Sequence, residues 1–205
     1  LLELRQEICN YTKRHYDVTY NPKDEVIVTV GGSEAIDLVI RCLISKGDEV
    51  LIPEPSFVCY KPCTELAGGK PVAIKTLEKD NSKLKAEHLK EKITDKTKLL
   101  VLPYPNNPTG AIMSKFELEE IAEVLRGTDI MVLSDEIYGE LTYSEEGHTT
   151  FSAIDGMQER TIVVNGFSKA FAMTGWRLGY ALGPAPIIKA MTKVHQYGIM
   201  SSPTT

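Results

Sequence analysis

Several common signatures are missing from this chain. No apolar run approaches the roughly 20 residues that a membrane-spanning helix needs, so no membrane partner is expected. Acidic residues outnumber basic ones by 28 to 23, and the net charge of −5 argues against nucleic acid as a partner. The four cysteines form no CxxC pair and fit no zinc-binding spacing, so no metal is expected. They are interpreted as small buried hydrophobic side chains, and a reducing cytoplasm is the default location.

The start of the chain also lacks two features. No signal peptide is expected at the start, because Leu1 is followed at once by Glu3 and Arg5, and there is no initiator methionine. The expectation is therefore a fragment or a processed protein. A chain of 205 residues, 42% hydrophobic and 25% charged, has the composition of one large or two small globular domains.

Short apolar segments alternate with helical patterns along most of the chain. This alternation predicts an α/β fold with a doubly wound, mostly parallel seven-stranded sheet and helices on both faces. The clearest helix signal is the capping box of Ser114 and Glu117, with Gly127 as the expected end of that helix. The seven predicted strands are residues 26–30, 50–52, 71–75, 99–102, 130–133, 162–164 and 178–182.

Polar and small residues follow the predicted strand ends. Gly32, Asn107, Asp135 and the stretch 166–169 each lie just past a strand. Ligands of doubly wound sheets bind at the carboxyl ends of strands, so these residues are expected to share a site. The turn at Gly32 leads into a helix from Ser33, a geometry that can hold a phosphate, although a plain turn with a serine cap fits it too.

Three motifs follow in order: Asn106–Gly110 (NNPTG), Ser134–Tyr138 (SDEIY), and residues 163–180, in which Arg177 comes eight residues after Lys169. Together they resemble the large domain of fold-type I pyridoxal-phosphate enzymes, closest to the aspartate and aromatic aminotransferases. The resemblance extends over essentially all 205 residues.

The resemblance implies that residues 1–205 form a pyridoxal-phosphate-binding large domain of a homodimeric enzyme. Such an enzyme moves an amino group between an L-amino acid of the aspartate or aromatic type and a 2-oxo acid. The family's small domain comes from both ends of the longer chain. It is expected to be absent here, together with a tyrosine that reaches the partner's phosphate and the arginine for the substrate α-carboxylate. The 205-residue chain is therefore expected to be weakly active or inactive alone.

The family's catalytic roles map onto four residues. Lys169 would form the Schiff base with the cofactor and then act as general base and acid. Asp135 would pair with the pyridine nitrogen, and Tyr138 and Asn107 would donate hydrogen bonds to the phenolic oxygen. Outside this context Lys169 would read as a solvated lysine, Asp135 as a turn cap and Tyr138 as a half-buried tyrosine.

The phosphate would be bound by Arg177 and by the backbone N–H groups at Gly32, Ser33 and Glu34. Many relatives add a hydroxyl residue three positions before the lysine, where this chain has Gly166. One phosphate donor is therefore expected to be either missing or replaced by Ser168.

Two further expectations follow from the resemblance. Phe57 would stack on the pyridine ring, at a position where the family more often has tryptophan or tyrosine. Its alternative reading is a core aromatic residue. The bonds Glu54–Pro55 and Asn107–Pro108 are expected to be cis.

Two other functions remain open at this point. A carbon–sulfur β-lyase on the same scaffold would use the same lysine, aspartate and tyrosine. An aminotransferase-like sensor domain of a transcriptional regulator would bind pyridoxal phosphate without turnover. The sequence does not identify the amino-acid donor.

Overall fold

The computed structural model describes residues 1–203, and a single seven-stranded sheet organises them. The spatial order of the strands is β1-β7-β6-β5-β4-β2-β3. The strands are β1 (Val26–Val30), β2 (Glu49–Glu54), β3 (Lys70–Lys75), β4 (Thr97–Leu102), β5 (Met131–Asp135), β6 (Thr161–Gly166) and β7 (Leu178–Leu182).

The sheet is mostly parallel. Strands β3, β2, β4, β5 and β6 pair in parallel, whereas β7 lies antiparallel between β6 and β1. This confirms the predicted fold class. All seven predicted strands are present, and five extend a little beyond the apolar run, because ladder hydrogen bonding continues into the flanking polar residues.

Six α-helices connect or flank the strands of the described chain. The helix after β1 begins at Gly31, two residues before the expected start at Ser33, and the short third helix was not expected. The helices are α1 (Leu2–Tyr16), α2 (Gly31–Leu43), α3 (Tyr60–Leu66), α4 (Ala86–Lys92), α5 (Lys115–Leu125) and α6 (Ala185–Gly198). None is long and apolar enough to cross a membrane.

Helices cover both faces of the sheet. Alternate residues of β4 point to opposite sides: Leu99 and Val101 join the core beneath α2 and α6, while Leu100 and Leu102 join the core beneath α4 and α5. All four are at most 1% exposed, so β4 is central and buried on both faces, as its continuous apolar run predicts. A third core lies between the sheet and α1.

The cysteines are less buried than the sequence interpretation held. Cys9 is buried, but Cys42, Cys59 and Cys63 are only partly buried where they pack against the core beneath α2. Cys42 lies near the end of α2, and Cys59 and Cys63 lie at and in the short helix α3. All four thiols are free.

The two expected cis bonds, Glu54–Pro55 and Asn107–Pro108, are present. A third, Tyr104–Pro105, was not expected.

Ser114 caps α5 as the sequence predicts. Its Oγ accepts the Glu117 N–H, and the Glu117 carboxylate accepts the Ser114 N–H at 2.9 Å. Because the S114A variant loses this cap, we expect it to lower the free energy of unfolding by about 1 kcal/mol in a urea titration. The matched control is S144A in an exposed loop, expected to change it by less than about 0.5 kcal/mol. Equal losses in both variants would contradict the role of the cap.

Candidate functional site

A cavity of about 220 Å³ opens at the carboxyl ends of β1, β2, β4, β5 and β6. Nine of the ten residues that the sequence assigns to cofactor binding line it. These are Gly32, Ser33, Phe57, Asn107, Asp135, Tyr138, Ser168, Lys169 and Arg177. The expectation that strand ends converge on one site therefore holds for these residues.

Asp135, the last residue of β5, provides a buried carboxylate. The residue is 6% exposed, and burial raises its pKa. Two hydrogen bonds oppose that shift: the Tyr60 hydroxyl donates to Oδ2 at 2.6 Å and the Ile137 N–H donates to Oδ1 at 3.3 Å. A cationic N–H group beside this carboxylate would further favour its charged form.

Tyr60 is a site residue that the sequence reasoning missed. It is the first residue of α3, it is 2% exposed, and its ring meets Phe57 edge-on with centroids 6.0 Å apart. The signal was its position three residues after Phe57, close enough in the chain for the two rings to meet. Tyr60 thereby links the ring expected to stack on a ligand to the buried carboxylate.

Tyr138, Asn107 and Lys169 lie together on another wall of the cavity. The Asn107 Nδ2 donates to the Tyr138 hydroxyl at 3.4 Å, and the Lys169 Nζ lies 5.5 Å from the centroid of the Tyr138 ring. That distance is within the range of a cation–π contact. An ammonium group and two polar donors therefore face the same space as Asp135.

Lys169 differs from one expectation. A lysine at the end of a buried strand suggests a desolvated amine, but Lys169 is exposed in the described chain. It lies three residues beyond Gly166, the last residue of β6, and thus beyond the buried part of the segment.

Arg177 and the start of α2 form a positive corner of the cavity. Arg177 has a left-handed backbone with φ 54°, and its Nη1 donates to the Thr174 carbonyl at 3.1 Å. A Cβ added to Gly31 would lie 2.7 Å from the Arg177 Nη2, so the guanidinium lies directly against the first residue of α2. A guanidinium beside a helix N-terminus favours an anion such as phosphate.

Glu34 is the one predicted residue that does not line the cavity. Its carboxylate accepts the Val30 N–H at 2.5 Å and pairs with the buried His195 at 2.7 Å. A contribution of its backbone N–H to phosphate binding stays a prediction.

Two glycines explain why this chain lacks the hydroxyl residue three positions before the lysine. Gly166 pairs with Gly179 across β6 and β7, and a Cβ on Gly166 would lie 2.9 Å from the Gly179 Cα. Gly179 in turn lies against α2, since a Cβ there would come within 2.5 Å of the Gly31 carbon and the Gly32 nitrogen. There is no space for a serine at position 166. The buried Ser168 lines the cavity instead.

The residues present suit pyridoxal phosphate. An apolar cavity of about 150 Å³ already holds benzene, so about 220 Å³ is enough for a substituted six-membered ring. The walls offer one partner for each polar group of this cofactor: a carboxylate for the ring nitrogen, a phenol and an amide for the phenolic oxygen, an amine for the carbonyl, and a positive corner for the phosphate.

We expect the Y60F variant to raise the pKa of Asp135 further, because it removes a hydrogen bond that favours the carboxylate while the burial stays. The measurement is the titration of the Asp135 carboxyl carbon by NMR in the protein without ligand. The control is Y143F, which changes a tyrosine that is 91% exposed. An unchanged or lower Asp135 pKa in Y60F would show that the hydrogen bond has no such effect.

We expect the G179A variant to lower the free energy of unfolding by about 1–3 kcal/mol, because the added methyl group meets the α2 backbone. Denaturant titration measures this loss. G175A is the matched control, since no atom lies within 4 Å of its added Cβ. A loss in G175A as large as that in G179A would contradict the close approach.

Comparison with known proteins agrees with this site. The profile of the family described as aminotransferase class I and II matches residues 1–205. An aspartate aminotransferase of Pyrococcus abyssi is 44% identical over 197 residues, which make up 96% of this chain and 51% of the relative. The aromatic-amino-acid aminotransferase 2 of Thermococcus litoralis is 42% identical over 197 residues, with the same two shares.

Solved structures give the same result. The crystal structure of an aromatic aminotransferase from Pyrococcus horikoshii OT3 matches with a TM-score of 0.96 and 44% identity, over 98% of this chain and 54% of that chain. The chain thus spans about half the length of the relatives it matches. With its whole length inside the family profile, this chain belongs to the class I and II aminotransferases, which depend on pyridoxal phosphate.

Proposed function

We propose that the protein containing this chain is a pyridoxal-phosphate-dependent aminotransferase. It would move an amino group between an L-amino acid of the aspartate or aromatic type and a 2-oxo acid. The observation that carries the proposal is the grouping of Asp135, Tyr138, Asn107 and Lys169 around one cavity, with Arg177 at its positive corner. The names of the relatives, aspartate and aromatic aminotransferases, support the substrate class.

Lys169 carries the reactive amine. When bound, pyridoxal phosphate supplies a carbonyl for amines and a ring that accepts electron density from the substrate Cα. Lys169 would supply the amine that holds the carbonyl carbon of the bound cofactor. The same amine would serve as the general base and acid that takes up and returns the proton of the substrate Cα.

Asp135 holds the ring nitrogen protonated. Its carboxylate lies in a buried environment where a neighbouring N–H cation interacts strongly with it. Tyr60 fixes the orientation of this carboxylate through its hydrogen bond to Oδ2. We therefore assign Tyr60 as a positioning residue for Asp135.

Tyr138 and Asn107 hold the phenolic oxygen of the cofactor. Both groups are donors, and they lie within 3.4 Å of each other, so one oxygen can accept from both. The two donors would thereby stabilise negative charge on that oxygen.

Arg177, the N–H groups at the start of α2 and Ser168 bind the phosphate. Phe57 covers one face of the ring. These groups add no proton transfer, but they fix the ring so that the Lys169 amine meets the reacting carbon.

Residues 1–205 form the large, cofactor-binding domain of this enzyme, with little or no turnover by themselves. The enzyme is a homodimer. In support, the resemblance of the chain to fold-type I pyridoxal-phosphate enzymes implies a homodimer. A cytoplasmic location is supported by the four free cysteines.

The test is an assay of the full-length gene product. We expect amino transfer from aspartate or an aromatic amino acid to 2-oxoglutarate, without release of pyruvate and sulfide from cysteine. Release of pyruvate and sulfide without amino transfer would favour the β-lyase, and cofactor binding without either reaction would favour a sensor domain. Either result would refute the proposal.

The K169A variant is expected to lose the visible absorbance of lysine-bound pyridoxal phosphate, together with turnover, because Lys169 is the one lysine among the described residues that line the cavity. Absorbance spectra with added cofactor measure the first effect. K189A, a substitution of an exposed lysine on α6, is the control and should keep both. Retained visible absorbance in K169A would remove Lys169 from the site.

A further inference from the structure

Helix α1 reaches two loops that carry site residues. Its Tyr11 and Tyr16 hydroxyls both donate to one carboxylate oxygen of Glu140, the second at 3.1 Å. Glu140 comes two residues after Tyr138 in the turn that follows β5. The turn bearing the phenol of the site is therefore tied to α1 from outside the cavity.

Tyr11 also contacts the segment that follows β6 and carries Lys169, which is called the lysine segment below. The rings of Tyr11 and Phe171 meet edge-to-face, with centroids 6.4 Å apart and planes at 62°. Phe171 comes two residues after Lys169 and packs in turn on Phe167, at 5.5 Å. Edge-to-face pairs of this kind contribute about 0.5–1.5 kcal/mol beyond the area they bury.

Tyr11 thus links the turn that carries Tyr138 to the segment that carries Lys169, close to the point where these two side chains face each other. The Lys169 Nζ lies 5.5 Å from the centroid of the Tyr138 ring, and each of these residues is two positions from a Tyr11 contact. A movement of either segment away from α1 would change the distance between the amine and the phenol. That distance decides whether both act on one ligand.

A second contact holds the other end of the turn. The Tyr16 ring meets His148 edge-to-face at 5.8 Å, and the His148 Nε2 pairs with the Glu136 carboxylate at 3.0 Å. Glu136 is 1% exposed and also accepts hydrogen bonds from Ser134 and Thr150. The His148 side chain is itself only 10% exposed. The turn is thus held at Glu136 and at Glu140, and Tyr11 is a contact that links it to the lysine segment.

We propose that Tyr11 is a positioning residue of the site: its hydroxyl holds the Tyr138 turn and its ring holds the Lys169 segment, so that α1 sets the distance between amine and phenol. This inference rests on the proposed function, because the distance matters only if Lys169 and Tyr138 act on the same cofactor. Tyr11 does not line the cavity, so its effect passes through Glu140 and Phe171.

Hydrogen exchange in the full-length protein without cofactor tests the two contacts separately. The reporters for the turn are the Leu141 and Thr142 amides, which donate to Tyr138 and Gly139. Those for the lysine segment are the Ala172 and Met173 amides, which donate to Lys169 and Phe167. We expect Y11A to raise exchange about tenfold in both pairs, because local opening governs their protection.

The Y11F variant keeps the ring and removes only the hydroxyl. It should raise exchange of the turn amides and leave the lysine-segment amides unchanged, while F171A should do the reverse. Y143A, at an exposed tyrosine, is the control for loss of a ring and should change neither pair. The proposal would be overturned if exchange in Y11F changed equally in both pairs of amides, or if exchange in Y11A changed in neither pair. The Y11F result decides the matter even if Y11A does not fold.

A spectroscopic measurement tests whether the two contacts of Tyr11 affect the site itself. In Y11A, the pH midpoint of the visible absorbance of lysine-bound pyridoxal phosphate should shift, because the distance between the Tyr138 phenol and the Lys169 amine has changed. The Y143A control should keep the midpoint of the parent protein. A parent protein that fails to bind pyridoxal phosphate would refute the proposed function and this role with it. A binding parent with an unchanged midpoint in Y11A would refute this role alone.

Discussion

The close approach of β7 to the start of α2 is the contact on which the site depends. Gly179 leaves no space for a side chain between the strand and the Gly31–Gly32 backbone. Because the two backbones touch, the N-terminus of α2 lies at the sheet edge beside Arg177, two residues before Gly179 in the chain. The contact between these two backbone segments therefore places the N-terminus of α2 and the Arg177 guanidinium at the same corner of the cavity, where a dianion can be bound.

Burial of Asp135 is the second constraint. A carboxylate without solvent is unfavourable unless donors face it, and among the described residues the Tyr60 hydroxyl and the Ile137 N–H donate to it. Burial raises the pKa of Asp135, and these two hydrogen bonds oppose that shift. A cationic N–H group in the cavity would further favour the charged carboxylate, which is what a partner for a pyridinium nitrogen needs.

Much of this arrangement is readable from the sequence, and the failures have physical causes. Strand positions follow from apolar runs, and residues such as Asn107 and Asp135 are found because they follow strand ends. Tyr60 was missed because its role is a contact across the fold, between a residue after β2 and one in β5. The exposure of Lys169 follows from loop geometry beyond β6, which apolar periodicity does not encode.

The cavity draws its walls from positions 32 to 177, on the ends of five different strands. No short piece of the chain can build it, because its residues meet only after nearly all of the sheet has assembled. A ligand that binds there recognises the folded state and not the unfolded chain. Its occupancy therefore raises the global stability of the protein by mass action, and the level of vitamin B6 in the cell becomes a factor in how long the polypeptide survives proteolysis.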